Sequence, residues 1–145
     1  MPIVDGQYQE QISTVFKTNK EAIEQIKDKI AKSRRVRISS IPMSLLEELL
    51  PLLQGKNVKI ILPRGGEPTA KLKEICEVAV QKAKIYSDFK GVEANEGSIY
   101  FSDVMYCVTW SKAEIHQITA MHYAKCVKCM KDTFETAWRY SDKCK

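Results

Sequence analysis

The chain has 145 residues, 44% hydrophobic and 28% charged, a balance that excludes a disordered or fibrous protein and predicts a single domain around one buried core. Its longest apolar runs, Ile60-Ile61-Leu62 and Leu49 to Leu53, fall far short of the roughly 20 residues of a membrane span, and Met1-Pro2-Ile3-Val4-Asp5 lacks the basic and apolar segments of a secretory signal. A cytoplasmic protein is therefore expected. The net charge of +5 is spread over scattered lysines, and the tight cluster Lys32-Ser33-Arg34-Arg35, with Arg37 just beyond, reads as a solvated helix end.

From Tyr8 to Lys32, Ile12, Phe16, Ile23, Ile26 and Ile30 recur largely at three- and four-residue spacings, which predicts an amphipathic helix, broken near Thr18-Asn19. The β-branched run Val36 to Ile41, ended by Pro42, predicts a strand. Ser44 is expected to cap a short helix running to Leu53, weakened at its end by Pro51 and closed by Gly55. Val58 to Leu62 follows as a second strand. Strand, helix and strand imply a right-handed crossover with the strands parallel. Beyond Pro63-Arg64-Gly65-Gly66, a helix from about Glu67 to Gln81 is expected, with Pro68 in its first turn and Leu72, Ile75, Val78 and Ala79 turned inward. A third strand is read at Lys84 to Phe89. Ser98 to Phe101 and Val104 to Trp110, flanking Ser102-Asp103, read as a hairpin, and Ser111 to Ser141 as helical throughout.

This order, with Arg35-Val36-Arg37-Ile38-Ser39-Ser40-Ile41-Pro42, Leu45 to Leu50, Lys56 to Leu62 and the closing Phe134-Glu135-Thr136-Ala137-Trp138, resembles one half of a phospholipase-D-like fold, as used in the sensor domain of TrmB-type archaeal transcriptional regulators. The resemblance implies an α/β sheet of parallel strands with crossover helices, an antiparallel hairpin, and long helices at both ends. It implies a sensory role in transcription regulation, a homodimer paired through the first helix, and a small effector at the strand ends. Enzymes of that family carry a His-x-Lys-x4-Asp motif leading into the hairpin. With Asp103 as its aspartate, Glu96 and Ser98 stand at the histidine and lysine positions, so no imidazole is placed to form a covalent phosphohistidine. A phosphodiesterase is not expected. Regulators of the family place a winged helix before the sensor; the short stretch before Tyr8 leads us to expect a free-standing sensor or a fragment, served by a DNA-binding partner protein.

Two sites are candidates. Ligands of parallel α/β sheets favour the carboxyl ends of the strands, which here carry Ser39, Ser40, Arg64, Gly65 and Gly66, with Asp88 beside them. Arg64 and bare glycine amides ahead of a helix could receive an anion, although Gly-Gly after a strand is commonly just a turn.

The other site lies on the last helix. At about 100° per residue, Tyr123, Val127, Met130, Phe134, Ala137 and Trp138 share a core face, while Lys125, Lys128, Asp132, Glu135 and Arg139 face water. His122, Cys126 and Cys129 form a stripe between them. Thiolates and imidazole suit zinc or an iron–sulfur cluster, with Cys107, Cys144 or a partner subunit completing the ligands, or with Cys107, Cys126, Cys129 and Cys144 binding and His122 spare. Two other readings stay open: the cysteines are apolar fillers, as isolated Cys76 is read to be, or Cys126 and Cys129 form a redox pair, aided by Lys125 and Lys128, in a thiol- or cluster-dependent enzyme. Disulfides are disfavoured in a reducing compartment. His116 reads as a surface residue of the same helix, and Trp110 and Trp138 as core anchors. Without exposed aromatics along a basic stripe, direct nucleic-acid binding is not expected.

Overall fold

Alternation along the strands builds the molecule, because successive side chains of a strand point to opposite faces. The computed structural model describes residues 13–81, 95–112 and 114–144. Among these, the order is β1 (Ser13–Val15), α1 (Asn19–Lys32), β2 (Arg35–Ser39), α2 (Met43–Leu53), β3 (Asn57–Leu62), α3 (Ala70–Ile75), β4 (Glu77–Val80), β5 (Asn95–Tyr100), β6 (Met105–Ser111), β7 (Glu114–Met121), α4 (Ala124–Tyr140) and β8 (Asp142–Lys143). The strands form one mixed sheet in the order β1-β7-β6-β5-β2-β3-β4-β8.

Strands β2, β3 and β4 run parallel, and β5, β6 and β7 form an antiparallel meander that joins β2 through Ser39 opposite Ser98. Val36 and Ile38 of β2, Val58 and Ile60 of β3, and Ile99 of β5 bury one face against Ala22, Ile26 and Ile30 of α1 and the leucines of α2. Ile61, Ala79, Tyr100 and Met105 on the opposite face bury against Val127, Phe134 and Trp138 of α4. The result is a sheet between two helical layers, the architecture expected for a phospholipase-D-like chain.

Several boundaries differ from those predicted. The first helix starts at Asn19, where the Thr18 side chain accepts a hydrogen bond from the Glu21 amide at 3.1 Å; Ser13–Val15 instead pairs antiparallel with β7, and the stretch before it lies outside the described residues. Ser44 lies inside α2, which begins after Pro42 without a side-chain cap. Pro51 sits within α2, and Gly55 follows it at φ 80.

The helix expected from Glu67 to Gln81 covers only Ala70–Ile75, capped by the Thr69 hydroxyl, and Glu77–Val80 is a parallel strand on β3. Val78 and Ala79 do point into apolar layers, but into opposite ones. The strand expected at Lys84 to Phe89 lies outside the described residues. The hairpin is present, but the helix expected from Ser111 begins only at Ala124, because Glu114–Met121 pairs with β6 across a bulge at Thr109/Trp110. Ile118 and Ala120 alternate into the α1 side, and the edge of β6 supplies the hydrogen-bond partners that make this segment a strand. On α4, Tyr123 and Ala137 are exposed where burial was expected, and Glu135 is half-buried where water was expected. No helix among the described residues is long and apolar enough to cross a membrane.

Candidate functional site

Ser40 follows β2 in a left-handed conformation, φ 56, and its amide, hydroxyl oxygen and carbonyl are each hydrogen-bonded. Its amide donates to the Ile61 carbonyl at 2.9 Å, its hydroxyl accepts from Gln81 Nε2 at 3.0 Å, and its carbonyl accepts from Trp110 Nε1 at 2.8 Å. Ser39 is half-buried beside it. Arg64 and Gly65 are exposed, whereas the Gly66 amide donates to the Pro63 carbonyl at 2.8 Å, closing a turn. A β-carbon on Gly66 would lie 2.9 Å from that carbonyl and 3.2 Å from Met43 Sδ. Thr69 separates these glycines from the start of α3. Asp88 lies outside the described residues.

The same edge holds Glu96 and Ser98, the residues that the resemblance would set at the histidine and lysine positions of the family motif. Glu96 and Ser98 lie on β5, with Ser98 opposite Ser39, and the β-carbon missing from Gly97 would fall 2.5 Å from the Ser40 carbonyl oxygen. Asp103 lies at the other end of β5, where its Oδ2 accepts from Lys29 Nζ at 2.7 Å. The Lys29 hydrogen bond holds the Asp103 carboxyl below the usual carboxylate range. Neither histidine is near this edge's serines: His116 Nε2 meets the Ser111 hydroxyl, on β7 rather than on the expected helix, and His122 Nε2 meets Thr14 Oγ1 at 3.1 Å.

The structure does not bring the cysteine stripe together. Cys126 and Cys129 are exposed on α4. Cys107 packs under α4, and Cys144 packs with the layer on the opposite side of the sheet, so these two cannot converge on one ion. Among the described residues no three His, Cys, Asp or Glu side chains gather in a way that could hold a metal. Burial pushes the Cys107 thiol up, away from the thiolate a metal would take, and pushes Cys76 up to about 11.

A third locus was not foreseen. At the amino-terminal edge of β2, a concavity of about 360 Å³ is lined by Lys29, Lys32, Arg34, Arg35, Arg37 and Lys131, with Asp103 its one acidic side chain. Strand parity positions it: Val36 and Ile38 face α1, so Arg35 and Arg37 face α4. Arg37 is 5% exposed. Its Nη1 donates to the Val36 carbonyl at 3.1 Å, the Asn57 carbonyl at 3.0 Å and Asn57 Oδ1 at 3.1 Å. Its buried Nε has no hydrogen-bond partner; Glu135 Oε1 stands 3.6 Å from it and 3.5 Å from Arg35 Nη2. Burial, and then the charge of Arg35, draw the Arg37 pKa down, while Glu135 opposes the shift. Arginine stays charged nonetheless. The usable signal in the sequence was the alternation Arg35-Val36-Arg37-Ile38, which puts two arginines on one face of a strand and two apolar side chains on the other.

No family model and no curated protein matches the sequence. Solved structures do. The chain is similar to TrmBL2, described as an archaeal chromatin protein with a novel mode of DNA binding, at 13% identity and a TM-score of 0.63, over 92% of this chain and 54% of that one. It therefore spans about half of TrmBL2. NucT from Helicobacter pylori matches at 12% identity and a TM-score of 0.63, over 91% of this chain and 97% of that one. Nuc from Salmonella typhimurium, a phospholipase D family member, matches at 13% identity and a TM-score of 0.61, over 92% and 99%. The similarity to a DNA-binding chromatin protein overturns the expectation that direct nucleic-acid binding is disfavoured. That expectation rested on basic residues scattered in sequence, which the fold collects from α1, β2 and α4 into one concavity.

Proposed function

We propose that this chain, which has a phospholipase-D-like fold resembling that of TrmB-type proteins, is a catalytically silent regulatory module that holds nucleic acid and does not cut it. One observation carries the reading: the strand edge where the fold's motif would act carries Glu96 and Ser98, and the neighbouring Ser40 is bonded to Gln81 and Trp110. Glu96 offers no covalent phosphohistidine, and its carboxylate repels a phosphodiester that an imidazole and an ammonium would attract. The cations lie at the other end of the sheet, where they can neutralise a backbone without reaching a catalytic group. The similarity to TrmBL2 supports the nucleic-acid reading.

The test pairs cleavage with binding. The protein is incubated with bis(p-nitrophenyl) phosphate and with end-labelled duplex DNA, while fluorescence anisotropy follows DNA binding over a salt series. We expect no hydrolysis, and an affinity whose logarithm falls linearly with the logarithm of salt concentration. Hydrolysis that co-purifies with the protein, or no binding at about 50 mM salt, overturns the proposal.

A further inference from the structure

We infer that the concavity around Arg37 is a phosphate-binding site, in which Arg35, Arg37 and Lys131 take the oxygens of a phosphate group and the Glu135 carboxylate is the resident anion that such a group displaces. Three observations lead there. The lining is six cations against one carboxylate, Asp103, which Lys29 holds; just outside the lining, Asp28 pairs with Lys32, and Glu135 faces Arg35 and Arg37. Arg34 and Lys131 have no ion pair among the described residues.

Arg37 is the second observation. A buried guanidinium costs free energy unless it is paired and fully hydrogen-bonded, yet this one keeps an unpartnered Nε. Three acceptors on Nη1 fix its plane, so the charge is oriented before any ligand arrives.

The third is the poor fit of Glu135. A single carboxylate oxygen is shared between two guanidinium groups at 3.5 and 3.6 Å, beyond the ~2.7–2.9 Å of a charge-assisted hydrogen bond. A phosphate presents more acceptor oxygens than a carboxylate and can serve two guanidinium forks together. Lys131 precedes Glu135 by one turn of α4, so both sit on the same side of the helix. Lys131 stands at the opening to add a third donor.

The shared chemistry is a phosphate oxyanion, whose source is either a nucleic-acid backbone or a free phosphorylated molecule; only the first source rests on the function proposed above. Titrations use inorganic pyrophosphate and duplex DNA separately, on the full chain, with circular dichroism confirming each variant's fold. The variants are Lys131→Glu and Glu135→Gln, with Lys73→Glu and Glu47→Gln as charge-matched controls on exposed positions of α3 and α2.

Lys131→Glu is expected to lower affinity for the bound anion by roughly tenfold or more, the scale of one charge-assisted hydrogen bond, and Lys131→Ala to reduce the DNA salt slope by about one. Glu135→Gln is expected to raise affinity, with both controls unchanged. Pyrophosphate binding that is lost in Lys131→Glu, without DNA binding, upholds the site and overturns the nucleic-acid function. DNA binding that is indifferent to Lys131→Glu and Glu135→Gln, or that changes equally in the controls, overturns the site and leaves that function standing. Binding of neither anion overturns both.

Discussion

Gly97 packs so tightly on Ser40 that a β-carbon added to it would meet three backbone atoms, the Ser40 carbonyl oxygen and carbon at 2.5 and 2.8 Å and Ile41 Cα at 2.9 Å. The contact fastens the antiparallel meander to the end of β2, where Ser40 already sits at φ 56. Backbone atoms cannot swing aside as the tip of a flexible side chain can. Gly97→Ala is therefore expected to destabilise the protein by about 1–3 kcal/mol, the usual cost of overpacking, measured as a shift in the urea midpoint without a change in slope. The exposed neighbour Glu96→Ala should stay within about 0.5 kcal/mol of the parent. Equal stability of Gly97→Ala and the parent would contradict the close approach.

The five thiols should differ in reactivity according to their surroundings. Cys126 and Cys129 are exposed, Cys107 and Cys144 half-buried, and Cys76 buried with its pKa pushed up to about 11. A disulfide-exchange reagent at pH 8 should modify Cys126 and Cys129 first and Cys76 only on unfolding, with mass spectrometry locating the label. The double variant Cys126→Ser and Cys129→Ser should change stability by less than about 0.5 kcal/mol, as surface substitutions commonly do. Stoichiometric zinc or iron that this variant loses would instead restore the metal reading of the α4 cysteines.

Lys29 and Asp103 tie the end of α1 to the β5–β6 turn at 2.7 Å. The hydrogen bond from Lys29 depresses the Asp103 pKa below that of an ordinary aspartate, so the folded state binds this proton less readily than the unfolded state. Its stabilisation is complete above the unfolded value and is lost as pH falls through the folded one, in the acid range below about 4. The pair is solvent-exposed, which limits its worth to about 0.2–1 kcal/mol. Carboxyl-detected NMR of Lys29→Ala should show the Asp103 titration moving up, and the stability difference between variant and parent should vanish at low pH. A stability difference that grows on acidification would refute the assignment.

Where one periodicity ran alone, the fold was legible. Ile23, Ile26 and Ile30 permit a helix only, and the β-branched runs from Val36 and Val58, between turn residues, permit strands only. The sequence misled where two periodicities coincide. Leu72, Ile75, Val78 and Ala79 satisfy a helical stripe, but Val78 and Val80 also alternate, and the open edge of β3 decides for a strand. Ile115 and Ile118 stand at a helical spacing, but a register shift against β6 lets both pack on one side of a strand.

The candidate site was legible in its chemistry but not in its assembly. Spacing cannot tell which face of the sheet a residue far along the chain will reach, so Cys107 and Cys144 looked like partners although the sheet divides them. For the same reason Arg37 looked like part of a helix end, while Glu135, which meets it, looked like a residue facing water. The expectation of a missing catalytic pair needed no assembly, because it depends only on aligning Asp103 with the family motif, within a few positions of the Ser102-Asp103 turn.

The two outermost strands, β1 and β8, are three and two residues long. Among the described residues, β1 covers only Thr119 to Met121 of β7, so Glu114 to Ile118 form the open edge of the sheet on that side. An edge of that length is a template for strand addition, which the exposed charge of Glu114 opposes.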